Sequence, residues 1–270
     1  MIILRPLKQF TYPIHADCIS PDSFQGKKIF EIAELQLYEG NKPRKLSELF
    51  DIKETSDEPN KILIEGDIEK VRRVGMGMKN GEIVINGKAG MHLGSKMAGG
   101  KIIVNGDAGN WTGSEMKKGL IEIHGNAGDY LASPYRGISV GMKGGTIIVD
   151  GDVGSDAAED MKDGLIKIYG NADQFLGLRM SGGTIYVDKD VGPRAGASMT
   201  GGKIIVKGKI KDLMPTFTID SIKPKVKVDD TLKADGPLYV FLGDLPGHKT
   251  GKIFALKSNN PQLKNYEKFL

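Results

Sequence analysis

Between residues 75 and 208, short apolar runs recur at a fixed interval. Each run is an isoleucine, one variable residue, then Ile or Val. The first position is Ile83, Ile102, Ile121, Ile147, Ile166, Ile185 and Ile204, and the second is Ile85, Val104, Ile123, Val149, Ile168, Val187 and Val206. This alternation predicts a strand with both branched residues on one face. Five residues ahead of each run stands a methionine: Met78, Met97, Met116, Met142, Met161, Met180 and Met199, separated by 19, 19, 26, 19, 19 and 19 residues. A glycine follows each methionine by three, at Gly81, Gly100, Gly119, Gly145, Gly164, Gly183 and Gly202. A second glycine closes the unit at Gly87, Gly106, Gly125, Gly151, Gly170 and Gly208, with Lys189 in its place once. A period kept through seven copies is the mark of stacked repeats.

One such unit cannot bury its own apolar face, so neighbours must stack ~4.8 Å apart as a parallel ladder. The regular unit is long enough for three short strands and three turns. The fold expected is all-β: a right-handed parallel β-helix of about 7–8 coils with non-repeating N- and C-terminal segments. An imperfect first coil starts at residues 62–66 (ILIEG). Three stretches follow: an N-terminal strand and turn segment (1–60), the repeat domain (61–211), and a C-terminal capping segment and tail (212–270). In the first, residues 29–37 read as a strand, 43–51 (PRKLSELFD) as a short helix with Leu46, Leu49 and Phe50 on one face, and 53–61 as a linker. In the last, 219–228 and 237–242 read as strands, and the polar tail 259–270 as a helix or arm.

The two branched columns point inward, and the methionines form a third inward column as flexible core filling. The glycines mark sharp turns or close approach of neighbouring backbones. Lys189 is where a local bulge is expected. The position between the branched columns reads Val84, Ile103, Glu122, Ile148, Lys167, Tyr186 and Ile205. A face open to water should be polar, so this one is expected to be covered, by a terminal segment or by another subunit. The coil with seven extra residues carries them near Ser133–Ser139, making Pro134, Tyr135 and Arg136 the candidate interface, with a plain surface loop as the alternative.

Composition narrows the chemistry. The single cysteine, Cys18, excludes a disulfide framework or a multi-cysteine cluster within this chain, and suits a cytoplasmic setting. The net charge is +4, with 13 lysines against 7 acids from residue 201 onward. Without interleaved aromatics this reads as a solvated lysine-rich edge, and no nucleic-acid partner is expected. Neither a signal peptide nor a membrane span is expected. Residues 243–250 (GDLPGHKT) fail as a phosphate loop, because His248 stands where glycine is needed and Pro246 interrupts. His15, His92, His124 and His248 lack metal-ligand spacing. Asp107, Asp152 and Asp190 recur after the closing position, with Lys88, Asn126, Asn171 and Lys209 in the other copies, a mixture that predicts turn stabilisation in preference to calcium binding. No catalytic, cofactor-binding or metal-binding constellation emerges.

The unit Met-x-x-Gly-x-Ile-x-(Ile/Val)-x-Gly resembles the repeat of the C subunit of formylmethanofuran dehydrogenase from methanogenic archaea. It is also similar to the β-helical C-terminal domain of the glutamate synthase large subunit. The first resemblance implies a structural scaffold in an oxidoreductase complex that reduces carbon dioxide with ferredoxin electrons and forms formylmethanofuran, the first step of methanogenesis from carbon dioxide. It implies as partners a tungsten- or molybdenum-pterin subunit, an amidohydrolase-like subunit with a metal pair, and ferredoxin-like subunits with iron–sulfur clusters. No cofactor is implied in this chain. The second implies a module supporting transfer between sites in an amidotransferase complex.

Overall fold

The computed structural model describes residues 1–55, 58–244 and 250–270. The middle of the loop weighed against a phosphate loop, with His248, lies outside the described residues. The chain is mostly β. Eight parallel strands carry the repeats: Lys61–Glu65, Glu82–Asn86, Ala98–Val104, Lys118–Ile123, Lys143–Val149, Asp163–Ile168, Ser181–Val187 and Gly201–Val206. They form the centre of an open 13-stranded sheet. Ile2–Pro6 extends it in parallel beside Lys61–Glu65, and Phe50–Glu54 closes that edge antiparallel. At the other end Gly251–Leu256 pairs in parallel with Gly201–Val206, and the antiparallel strands Lys233–Gly243 and Thr218–Lys227 follow.

The register puts like on like. Ile83, Ile102, Ile121, Ile147, Ile166, Ile185 and Ile204 are successive partners. The column begins before the repeats with Ile2 and Ile62 and ends after them at Ile253. Residues of this column and of its neighbour, from Leu4 to Ala255, are buried. A second parallel ladder of single bridges runs Ile68, Ala89, Ala108, Ala127, Val153, Ala172, Val191 and Ile210. It passes Lys189 with the same residue count as its neighbours, so the bulge expected there is absent. Lys189 N–H still donates to Gly170 O at 3.3 Å.

All seven repeat methionines are at most 1% exposed. Their spacing from the glycines has a packing cause. A Cβ added at Gly100, Gly119, Gly145, Gly164, Gly183 or Gly202 would sit 2.5–2.8 Å from the Cε of the methionine one repeat earlier. These glycines also have φ between 78° and 110°. The methionine methyl therefore occupies the space that only glycine leaves open. The closing glycines meet backbone instead: a Cβ on Gly106 would lie 2.7 Å from Gly87 O.

Beyond the closing position, side chains form a corner ladder. Asn126 N–H donates to Asp107 Oδ1 (2.9 Å), Asp152 N–H to Asn126 Oδ1 (2.8 Å), Asn171 N–H to Asp152 Oδ1 (2.7 Å) and Lys209 N–H to Asp190 Oδ1 (2.7 Å). Each side-chain oxygen thus caps a backbone donor of the next repeat. The ladder stops at buried Asn260, which accepts from Ile210 N–H (2.8 Å) and donates to Gly208 O (3.0 Å).

Two N-terminal expectations need revision. Residues 29–37 are not one strand: Ile29–Ala33 is a short helix and the strand is Gln36–Glu39. Glu31 accepts from Lys28 N–H at 2.7 Å, and Ile32 alone of that turn is buried, so capping overrides the apparent alternation. The helix foreseen in 43–51 is confined to Leu46–Leu49, with Leu46, Leu49 and Phe50 buried as a face. The tail ends in a 3-10 helix, Pro261–Phe269. Among the described residues, no helix is long and apolar enough to cross a membrane.

Candidate functional site

Ahead of every repeat methionine but Met142 the turn alternates in backbone handedness; before Met142 the insertion separates Tyr130 and Ala132 from the methionine. Before Met97, His92, Gly94 and Lys96 have φ of 61°, 60° and 59°. The central residue is glycine because a Cβ there would lie 2.8 Å from Ile121 Cδ1. The first position is never glycine: Arg73, His92, Trp111, Tyr130, Asp156, Phe175 and Arg194 all take φ between 58° and 68°. Each such residue costs about 1–2 kcal/mol in the left-handed region. Hydrogen bonds between repeats hold them: His92 N–H to Asn110 O (2.9 Å), Trp111 N–H to Asp129 O (3.0 Å) and Tyr130 N–H to Ser155 O (2.9 Å).

With backbones locked one above another, their side chains stack. His92 lies on Trp111 at 5.4 Å and 16°, and Trp111 on Tyr130 at 4.6 Å and 6°. The seven-residue insertion folds back over this stack. Its Tyr135 meets His92 edge-on at 5.1 Å and Trp111 at 5.7 Å. Each such pair adds about 0.5–1.5 kcal/mol beyond burial. Pro134 is buried, Tyr135 is 46% exposed and Arg136 is exposed.

Two recesses flank the folded loop. One is lined by Trp111, Tyr130, Tyr135, Arg136, Glu159 and Arg179. There Arg179 ion-pairs with Glu159 and chelates Asp160 at 3.0 and 2.8 Å. The other is lined by Arg73, His92, Ser95, Lys96, Ser114 and Tyr135. Burial, then the charges of Arg73 and Arg72, lower the His92 pKa to about 4, so its imidazole is neutral at physiological pH. Arg73 is held by Asp17 at 3.3 Å.

The structure thus gathers Tyr135 and Arg136 with His92, Trp111 and Tyr130. The repeat methionines lie in the core, whereas most of the repeat glycines are partly exposed. Sequence reading found the insertion and missed the stack. The signal was present: Arg73, His92, Trp111, Phe175 and Arg194 each stand five residues before a repeat methionine. The outer column between the branched positions is covered in part. Tyr186 and Ile205 are buried with Val226, Leu238 and Val240 of the C-terminal hairpin. Val84, Ile103 and Ile148 remain partly exposed.

No protein-family model matches the chain. Part of it is similar to the C subunit of molybdenum-containing formylmethanofuran dehydrogenase 1 from Methanothermobacter marburgensis, 49% identical over 92 residues, or 34% of this chain and 23% of that protein. It is likewise similar to the C subunit of tungsten-containing formylmethanofuran dehydrogenase 2 from Methanothermobacter wolfeii, 40% identical over 97 residues, or 35% of this chain and 36% of that one. The matched region therefore spans about a quarter to a third of these relatives. The fold as a whole is similar to a chain of the formyltransferase/hydrolase complex FhcABCD from Methylorubrum extorquens, solved with methylofuran. The TM-score is 0.86 at 27% identity, covering 94% of this chain and 99% of the other.

Proposed function

We propose that this chain is a non-catalytic scaffold subunit of a formylmethanofuran dehydrogenase, built as a right-handed parallel β-helix with terminal caps. The observation that carries this reading is the 49% identity to the dehydrogenase C subunit over 92 residues, joined to a likeness to one subunit of a related complex over 94% of the chain. The β-helix reading is supported by two parallel ladders of matching period, the main sheet and the single-bridge column, with apolar side chains buried between them. The repeat methionines and glycines serve that stacking. The surface around Pro134, Tyr135 and Arg136 is the contact for neighbouring subunits, in keeping with the aromatic and arginine side chains it presents.

The molybdenum or tungsten in the relatives' names does not fit this chain's residues. Cys18 is the only thiol, and burial pushes its pKa up to about 11, which disfavours a metal-binding thiolate. Such a group, with any iron–sulfur clusters and metal pair, belongs to partner subunits: a pterin subunit, an amidohydrolase-like subunit and ferredoxin-like subunits. The complex would then work in the cytoplasm.

The 94% coverage by a chain of a formyltransferase/hydrolase complex favours a second reading, a scaffold for formyl transfer and hydrolysis without carbon dioxide reduction. Recovery of the tagged chain from its source cells, with mass spectrometry of the companions, separates the two. Carbon dioxide reduction by the recovered complex, with a pterin subunit present, supports the dehydrogenase. Formyl hydrolysis alone supports the second reading, and recovery of the chain without companions contradicts both.

A further inference from the structure

The left-handed positions form one column, and its register does not lapse at Asp156. Asp156 has φ 58°, against 61° for Tyr130 and 60° for Phe175. Its N–H donates to Gln174 O at 3.0 Å, as Tyr130 N–H does to Ser155 O and Phe175 N–H to Pro193 O. The three side chains therefore leave the backbone in the same direction, one above another. On either side of Asp156 the column is stacked. Trp111 and Tyr130 lie 4.6 Å apart and within 6° of parallel, and the Arg194 guanidinium lies 5.2 Å from the Phe175 centroid. Only the steps at Asp156 break the series, because a carboxylate stands where a ring would. Tyr130 gives one face to Trp111 and Phe175 gives one to Arg194, and the other face of each is turned towards Asp156. Two repeats separate those rings, about 9–10 Å at the spacing of neighbouring strands. That is two stacking distances, room for one planar group. Tyr130, Asp156 and Phe175 are all partly exposed, so the gap opens to solvent.

The gap is also acidic. Among the described residues the Asp156 carboxylate has neither a hydrogen bond nor an ion pair. Asp129 and Asp173 act on it from the neighbouring repeats, and no cation pairs with either of them among the described residues. Their carboxylates accept from Ser155 N–H (2.9 Å), Ser155 Oγ (2.9 Å) and Gln174 N–H (2.8 Å). Burial, and then those two charges, raise the Asp156 pKa, so a cation in the gap would relieve the carboxylate. The far face of Phe175 shows which cation this column accepts, since Arg194 already lays its guanidinium there. A guanidinium is planar, stacks on aromatic faces and donates to a carboxylate through a fixed fork, whereas an ammonium has no plane to insert.

We propose that the gap at Asp156 takes an arginine side chain of a partner polypeptide, its guanidinium held between the rings of Tyr130 and Phe175 and donating to the Asp156 carboxylate. The inference stands on this column alone, whichever complex the partner belongs to.

The full chain, with its tyrosine and phenylalanine rings labelled for NMR, is titrated with the peptide acetyl-Gly-Arg-Gly-amide. The same peptide with citrulline or lysine in place of arginine is titrated beside it at equal ionic strength. The arginine peptide should move the ring resonances of Tyr130 and Phe175 saturably. Citrulline keeps the plane and loses the charge, and lysine keeps the charge and loses the plane, so each should bind about tenfold more weakly or worse. Asp156→Asn puts in a residue that tolerates left-handed backbone. It should weaken the arginine peptide about tenfold while melting no lower than wild type, since it removes an unpaired charge between two others. The proposal is overturned if the arginine peptide moves neither ring, if citrulline or lysine binds as tightly as arginine, or if Asp156→Asn binds as wild type does.

Discussion

At the scale of the residue, the repeat is a pairing between a methionine methyl and a glycine one repeat later. Gly145 has φ 91°, and a Cβ there would lie 2.7 Å from Met116 Cε. Gly145→Ala should cost about 2–4 kcal/mol, from left-handed strain and overpacking together. In a Met116→Ala background its steric part should shrink to the approach of 3.0 Å to Gly119 O, so urea denaturation of the double variant should show less than the sum of the single losses. Ile147, fully buried in the isoleucine column, tests the inward assignment. Ile147→Asp should lower stability by about 4 kcal/mol or more, and a melting temperature equal to wild type would refute the assignment. His92 carries a pH dependence. Its folded pKa of about 4 lies below the ordinary ~6.5, so the unfolded chain takes up the proton first as pH falls. Its contribution is therefore whole above pH ~6.5 and declines towards pH 4. His92→Phe, which keeps a ring against Trp111, should flatten stability over that window in denaturant titrations. The sequence displayed the spacing of methionine and glycine but not its cause, because the two side-chain positions meet across repeats and not within one. The aromatic stack was legible only as a shared position, since His92 and Trp111 each stand five residues before a methionine while Tyr130 is set apart by the insertion, and left-handed backbone in non-glycine residues leaves no compositional trace.

At the scale of the element, the C-terminal hairpin covers two of the five apolar positions of the outer column, Tyr186 and Ile205. Strands Thr218–Lys227 and Lys233–Gly243 bring Val226, Leu238 and Val240 onto Tyr186 and Ile205. Lys167, polar in that column, ion-pairs with Asp229 at the hairpin turn, and Lys203 Nζ donates to Lys227 O at 2.6 Å. Burial alone would raise the Asp229 pKa, but Lys167 and the N–H groups of Thr231 and Leu232 outweigh it and hold the carboxyl below its usual range. That stabilisation is present above the unfolded value of ~3.9 and is lost as pH falls further. Asp229→Asn should speed amide exchange in Thr218–Lys227 at neutral pH and remove that acid-sensitive component. Unchanged exchange would show that the ion pair does not anchor the hairpin. The exposed apolar character of the column was legible as alternation, whereas its cover was not, since nothing local ties residue 229 to residue 167. The helix Ile29–Ala33 was misread for the opposite reason. A five-residue segment is too short for its period to outvote a local cap.

At the scale of the whole molecule, the large parallel sheet was legible because every repeat states the same instruction. Outside the repeats, the strands foreseen at 219–228 and 237–242 are present as Thr218–Lys227 and Lys233–Gly243, whereas the joining of Ile2–Pro6 and Gly251–Leu256 to the same columns was not legible, since neither carries the motif. The stacked interior of the repeats is filled by Ile, Val, Leu, Met and small residues. On the proposed scaffold reading, this chain supports catalysis carried by other subunits. Metal analysis of the isolated, folded chain beside the complex recovered from source cells tests it most directly. A scaffold chain should leave molybdenum or tungsten, with iron, in the complex and none in stoichiometric amount in the isolated chain. Stoichiometric molybdenum, tungsten or iron on the isolated chain would contradict it.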